Sequence, residues 1–262
     1  KDSQSLTNVA KLFEEKGVLD KSIHFYELAA SFQPKSDAIQ RMLGSLYHRT
    51  GNIDGAVAAY EKAVKLNPKN LEIQYVQGRL LASEKKFKEA RAVLEKALLL
   101  HENDARIYYE LGLVALAEFD FIAAEKSLAL AVNNDINNHK YLKSLFDAEL
   151  GNKNYDAAVD TILKAIKLNP NNAIYVFSAC NVYSKKRFYT AAIKHCEDAL
   201  NLDSKGLDIM NRLAWLYAKK NLKLDLAIEL INQAIQASPN RADFIDTLSE
   251  LYYVKGDINM AV

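Results

Sequence analysis

Apolar residues recur along the chain at helical rather than strand spacing. Ile39, Met42, Leu43, Leu46 and Tyr47 stand at i, i+3, i+4, i+7 and i+8, the stripe of an amphipathic helix. Gly51-Asn52 interrupts it. Ile53, Ala56, Val57, Tyr60, Ala63 and Val64 then form a second stripe, which Leu66-Asn67-Pro68 ends because proline cannot continue a helix. Asn70, Asn103, Asn138 and Asn172 precede the next helix in each case, where a short polar side chain can cap free backbone N–H groups. No segment alternates in the manner of a strand, so the expected fold class is all-α.

The helix pairs recur on a fixed beat. Ala29, Ala63, Ala97, Ala131, Ala165 and Ala199 follow one another at 34-residue steps. Ala56, Ala90, Ala124, Ala158 and Ala192 form a second row with the same step, and Gly44, Gly78 and Gly112 a third. Of the four prolines, Pro34 and Pro68 are 34 apart and Pro170 follows after 102, three times that period. A constant period of this length signals a repeat array. Small residues at fixed places suit close helix crossings, and large ones such as Tyr26, Tyr47 and Tyr60 suit the wider gaps. Each pair buries too little apolar surface alone, so stability has to come from stacking on neighbours.

The second period carries Leu43, Gly44, Tyr47, Ala56, Tyr60, Ala63 and Pro68, and in this it resembles the tetratricopeptide repeat (TPR) family. The resemblance covers 1–262 as a single array. Its repeats are 3–36, 37–70, 71–104, 105–138, 139–172, 173–206 and 207–241, with a partial eighth at 242–262. It implies a right-handed superhelical α-solenoid of helix–turn–helix units. Departures are Phe146 at a small-residue place, Cys180 and Cys196 at the small and aromatic places of repeat six, and one extra residue in the Lys219–Asp225 turn. Phe146 leads to an expected local change of curvature in repeat five. The chain begins at Lys1 and stops early in the second helix of repeat eight, so the natural protein is expected to continue.

Charge narrows the partners. With 34 basic and 33 acidic residues the formal net charge is +1, which disfavours nucleic-acid binding by bulk electrostatics. No apolar run reaches membrane-spanning length, so no direct membrane insertion is expected. Nothing selects a compartment, and cytoplasm and periplasm both stay open.

Catalytic signatures are missing: there is no G-x-G-x-x-G, G-x-x-x-x-G-K-[ST], H-E-x-x-H or C-x-x-C. No catalytic residue, metal or cofactor is expected, and the chain reads as non-catalytic. Cys180, His195 and Cys196 share one repeat, yet a nucleophile or metal site needs a further group. The cysteines are read as two buried reduced thiols acting as small hydrophobes. A disulfide between the two helices of repeat six is the lesser alternative.

In proteins this sequence resembles, the first helices of successive repeats line a concave groove that binds peptides or partner helices. Register places Arg41, Tyr75, Tyr109, Lys143, Phe177 and Asn211 there, with Arg79, Asn181 and Trp215 one turn on and Arg106 near a helix start. The expected wall is basic and aromatic through the middle repeats and acidic at Asp208, Asp243, Asp246 and Glu250. The implied ligand is a protein or peptide with an acidic segment. The family's clamp for chaperone tails is not matched: Lys143 and Arg212 fit, but Asp147 and Asp208 would repel a terminal carboxylate. Self-assembly of the array is the alternative function, and RNA binding by helical repeats is disfavoured by the acidic end.

Overall fold

The computed structural model describes residues 2–260. All regular structure among them is helical, and the contacts divide the chain into two compact units, 1–134 and 135–262.

Unit one holds four helix pairs: α1 (Ser3–Glu15) with α2 (Leu19–Phe32), α3 (Asp37–Arg49) with α4 (Ile53–Leu66), α5 (Leu71–Ser83) with α6 (Phe87–Leu98), and α7 (Ala105–Ala117) with α8 (Phe121–Asn134). Unit two holds α9 (His139–Gly151) with α10 (Tyr155–Leu168), α11 (Ala173–Lys185) with α12 (Tyr189–Leu202), and α13 (Leu207–Lys220) with α14 (Leu224–Ala237). It ends with α15 (Ala242–Lys255) and a 3-10 turn at Ile258–Met260. Within each unit the helices of a pair pack antiparallel, and each second helix packs on the following first helix. This is an all-α solenoid architecture. The expected second helix of repeat eight reduces to that short turn, and Ala261 and Val262 lie outside the described residues.

The periodic residues do what their size requires. Every alanine of the two 34-residue rows is fully buried. A Cβ on Gly78 would stand 2.5 Å from Leu94 Cδ2, and one on Gly44 would stand 2.9 Å from the Tyr60 ring. Only glycine lets those helices approach so closely. The partners are 16 residues apart in both cases. The same spacing relates Cys180 to Cys196, whose Cα atoms lie 5.2 Å apart.

Those two cysteines correct the sequence reading: they form a disulfide rather than remaining reduced thiols. The pairing follows from the register, since both stand where a first helix crosses its own second helix most tightly, a separation that a disulfide spans. In repeat five Phe146 fills the small-residue place and is buried, as is Ile162 sixteen residues on.

Caps set the helix starts. Asn70, Asn138 and Asn172 accept backbone N–H groups of the first turn as expected, as do Asp2 and Ser36. Asn103 does not. It adopts φ +66° in the loop, and Asp104 caps α7 instead by accepting the Arg106 N–H at 2.9 Å. An ionised carboxylate is a good cap, because it also meets the positive end of the helix dipole.

Candidate functional site

The predicted residues fall on first helices in both units. In unit one, α3 carries Arg41, α5 carries Tyr75 and Arg79, and α7 carries Arg106 and Tyr109. The arginines are exposed and the two tyrosines half-buried. These helices can hold such residues because other residues complete their apolar stripes: Ile73 and Leu80 on α5, Ile107, Leu111 and Val114 on α7.

Three of the five come together. The guanidinium carbons of Arg79 and Arg106 each lie 5.5 Å from the Tyr75 ring centre, so the ring takes two cation–π contacts. The Tyr75 hydroxyl donates to Glu110 Oε1 at 3.1 Å, and Arg79 Nε reaches the same oxygen at 3.2 Å. Arg106 pairs with Asp104 at 2.9 Å and with Glu72 at 3.3 Å. Burial pushes the Glu110 carboxyl above its ordinary value, and Arg79 and Tyr75 offset only part of that. Beside this cluster, His48, Val76, Arg79, Leu80 and Ser83 line a cavity of about 270 Å³. Arg41 stands apart on α3, with no carboxylate in ion-pair range among the described residues. Its charge bears on the hydroxyls of Tyr26 and Tyr60.

The expected basic wall of unit one is therefore largely neutralised from within. Glu110, Asp104 and Glu72 were not among the predicted residues. A signal existed for each. Glu110 puts a charge beside the buried stripe of α7, Asp104 immediately precedes that helix, and Glu72 is 34 residues before Arg106, so the two are register neighbours.

In unit two, Lys143 on α9 pairs with Asp147 at 2.5 Å and lies 5.4 Å from the Phe146 ring centre. Phe177 and Asn181 lie on α11, Asn211 and Trp215 on α13. Phe177 packs partly against the core, so it serves stacking as well as the face. Asn211 Nδ2 donates to Asp243 at 3.2 Å. Trp215 meets Tyr189 edge-on at 6.1 Å, with Lys219 Nζ at 5.2 Å and the Arg212 guanidinium at 5.6 Å from its ring. Three residues of the predicted acidic end are also paired: Arg241 holds Asp208 at 2.8 Å and Asp243 at 2.7 Å, and Lys219 holds Glu250. Arg212, Ser184 and Lys185 surround a second cavity that register alone did not single out.

No group of three or more His, Cys, Asp or Glu side chains among the described residues is placed to hold a metal ion. No described helix is long and apolar enough to cross a membrane.

No curated protein matches the sequence. Solved structures are similar in fold. YrrB, described as a TPR protein with an unusual peptide-binding site, aligns over 72% of this chain and 97% of its own at TM-score 0.64 and 21% identity. The C-terminal part of a TPR repeat-containing protein from Cytophaga hutchinsonii aligns over 92% of this chain and 99% of its own at TM-score 0.78 and 16% identity. MamA from Desulfovibrio magneticus RS-1 aligns over 65% and 96% at TM-score 0.59 and 22% identity. Tetratricopeptide repeat models match residues 10–71, 41–104 and 75–138, and a further one matches 147–172. Together these matches span more than half of the sequence, and the chain belongs to the tetratricopeptide repeat family.

Proposed function

We propose that the chain is a non-catalytic scaffold whose first-helix faces, one in each unit, bind extended protein segments. Arrays of this family are protein-interaction scaffolds, and one structural neighbour is described as having a peptide-binding site. The observation that carries the reading is the half-exposed aromatic set. Tyr75 and Tyr109 stand on helices whose core stripes are complete without them, Phe177 and Trp215 pack partly against the core and leave the rest of their rings exposed, and cations flank Tyr75 and Trp215. Rigid, partly wet aromatic and arginine side chains are the usual anchors of an interface.

The pairing of Arg79 and Arg106 changes what the partner brings. An acidic segment over unit one has to displace Glu110, Asp104 or Glu72, whereas Arg41 is open to it. Affinity there rests on Tyr75 and Tyr109 first and on charge second. Capture of a partner from the native host, followed by titration, tests this. Tyr75→Ala with Tyr109→Ala should weaken binding at least about tenfold, as loss of interface anchors does. Unchanged affinity removes unit one from the interface.

A further inference from the structure

The turns inside the helix pairs of unit two gather cations along one edge. They carry Lys153, then Lys185, Lys186 and Arg187, then Lys219, Lys220 and Lys223, and α15 ends on Lys255. The loops at the opposite ends of the helices, 169–172, 203–206 and 238–241, carry only Lys205 and Arg241. Ion pairs stitch neighbouring turns together. Lys186 holds Asp156 at the start of α10, and Lys255 holds Asp225 at the start of α14 at 2.6 Å.

Half of these cations have no counter-charge. Lys186, Lys219, Lys223 and Lys255 are held by Asp156, Glu250, Glu197 and Asp225. Lys153, Lys185, Arg187 and Lys220 are exposed, and no carboxylate among the described residues lies in ion-pair range of them. Apolar side chains stand in the same turns: Phe188 is 55% exposed and Leu222 46%. Lys186 Nζ lies 5.0 Å from the Phe188 ring centre, so charge and ring are neighbours. Six of the seven cations in the turns are lysines. Lysine is a hydrated point charge that suits a diffuse negative field, whereas capture of a single phosphate favours the arginine fork. Leu222 offers a nucleic-acid base no ring to stack on, but Leu222 and Phe188 can both sink between lipid headgroups.

We propose that the turn edge of unit two docks on the surface of an anionic phospholipid bilayer. Lys153, Lys185, Arg187 and Lys220 lie against the headgroup phosphates, and Phe188 and Leu222 enter the interfacial layer beside them. The contact is peripheral, at headgroup depth, and involves no spanning helix. The formal net charge of +1 does not oppose it, because a charged bilayer is felt only within about a Debye length and local charge decides. The edge consists of turn residues, so the proposal does not depend on the segment-binding reading of the first-helix faces.

The full chain is mixed with vesicles of phosphatidylcholine alone, with vesicles in which about a third of the lipid is phosphatidylglycerol, and with a single-stranded oligothymidine. Vesicle binding is read by co-sedimentation and oligonucleotide binding by fluorescence anisotropy. Partition onto the phosphatidylglycerol vesicles should be at least about tenfold stronger than onto phosphatidylcholine, and should weaken as salt rises. Lys185→Gln, Arg187→Gln and Lys220→Gln together should reduce it at least about tenfold. Lys164→Gln, Lys167→Gln and Lys205→Gln remove as many exposed charges away from the turns and should leave it within about twofold. Phe188→Ser with Leu222→Ser should weaken the binding that persists at raised salt. Equal partition onto both vesicle types, equal loss in the two triple variants, or no sedimentation overturns the proposal. Oligonucleotide binding without vesicle binding assigns the edge to nucleic acid and overturns it as well. None of these readouts uses a captured protein partner, so the proposal and the segment-binding reading fail separately.

Discussion

At the turn inside each helix pair, one register position adopts positive φ in seven successive repeats. Gly17 and Gly51 do so at +73° and +79°, and Lys85, Phe119, Lys153, Arg187 and Asn221 do so between +50° and +61°. Glycine takes that conformation freely, while residues with a Cβ are strained in it. Lys153→Gly should therefore raise unfolding free energy by about 1 kcal/mol, read from the denaturant midpoint at unchanged slope. A lowered midpoint would show that the Lys153 side chain stabilises the turn. Glu110 makes a second prediction. Its folded pKa is raised, so its contribution is complete below the ordinary value of 4.5 and is lost as pH rises through the folded value. Glu110→Gln keeps an acceptor for the Tyr75 hydroxyl and removes the buried charge. The stability difference should move in favour of the variant as pH rises from below 4.5 to neutrality. Movement the other way would mean that the Arg79 ion pair outweighs burial.

Among elements, the crossing within each helix pair is governed by residues 16 apart: Ala10 with Tyr26, Gly44 with Tyr60, Gly78 with Leu94, Gly112 with Leu128, Cys180 with Cys196, and Ala214 with Leu230. All the side-chain partners in this set are buried. The sixth repeat replaces a small–large pair by a covalent one. In the chain-entropy account, closing so short a loop stabilises by about 3 kcal/mol. Reduction should lower the melting temperature of the native protein, and Cys180→Ala with Cys196→Leu should remove that sensitivity while keeping the fold. Alkylation without reductant supplies the check, since two modified cysteines in the unreduced protein would contradict the bond. Helix positions and the alanine rows were legible because period 34 and period 3.6 reinforce one another. The disulfide was not, because a buried thiol pair and a disulfide satisfy the same apolar pattern. The helix start at Asp104 was missed for a similar reason: Asn103 and Asp104 are both good caps, and the chain path decides between them.

For the whole molecule, the sequence reads as one uninterrupted array, while the contacts group repeats into 1–134 and 135–262. The period continues through the division, with Ala131 and Ala165 still 34 apart, so no compositional break announces it. The faces were legible in part. Register placed Tyr75, Arg79, Arg106, Phe177 and Trp215 on first helices, but it counted charges without their partners and so overstated the basic wall. Some counter-charges are local, as for Asp104 with Arg106 and Asp147 with Lys143, and others come from the neighbouring repeat, as for Glu72 with Arg106 and Asp208 with Arg241. Periodicity marks such register neighbours, but whether their side chains reach one another depends on the packing of the stack. The most direct measurement of the central claim is hydroxyl-radical footprinting of the chain with and without its captured partner. Tyr75, Tyr109, Phe177 and Trp215 should lose reactivity on binding, while Ile122 and Leu163, exposed on the second helices α8 and α10, should keep theirs. Protection of Ile122 and Leu163 with the four aromatics unchanged would contradict it.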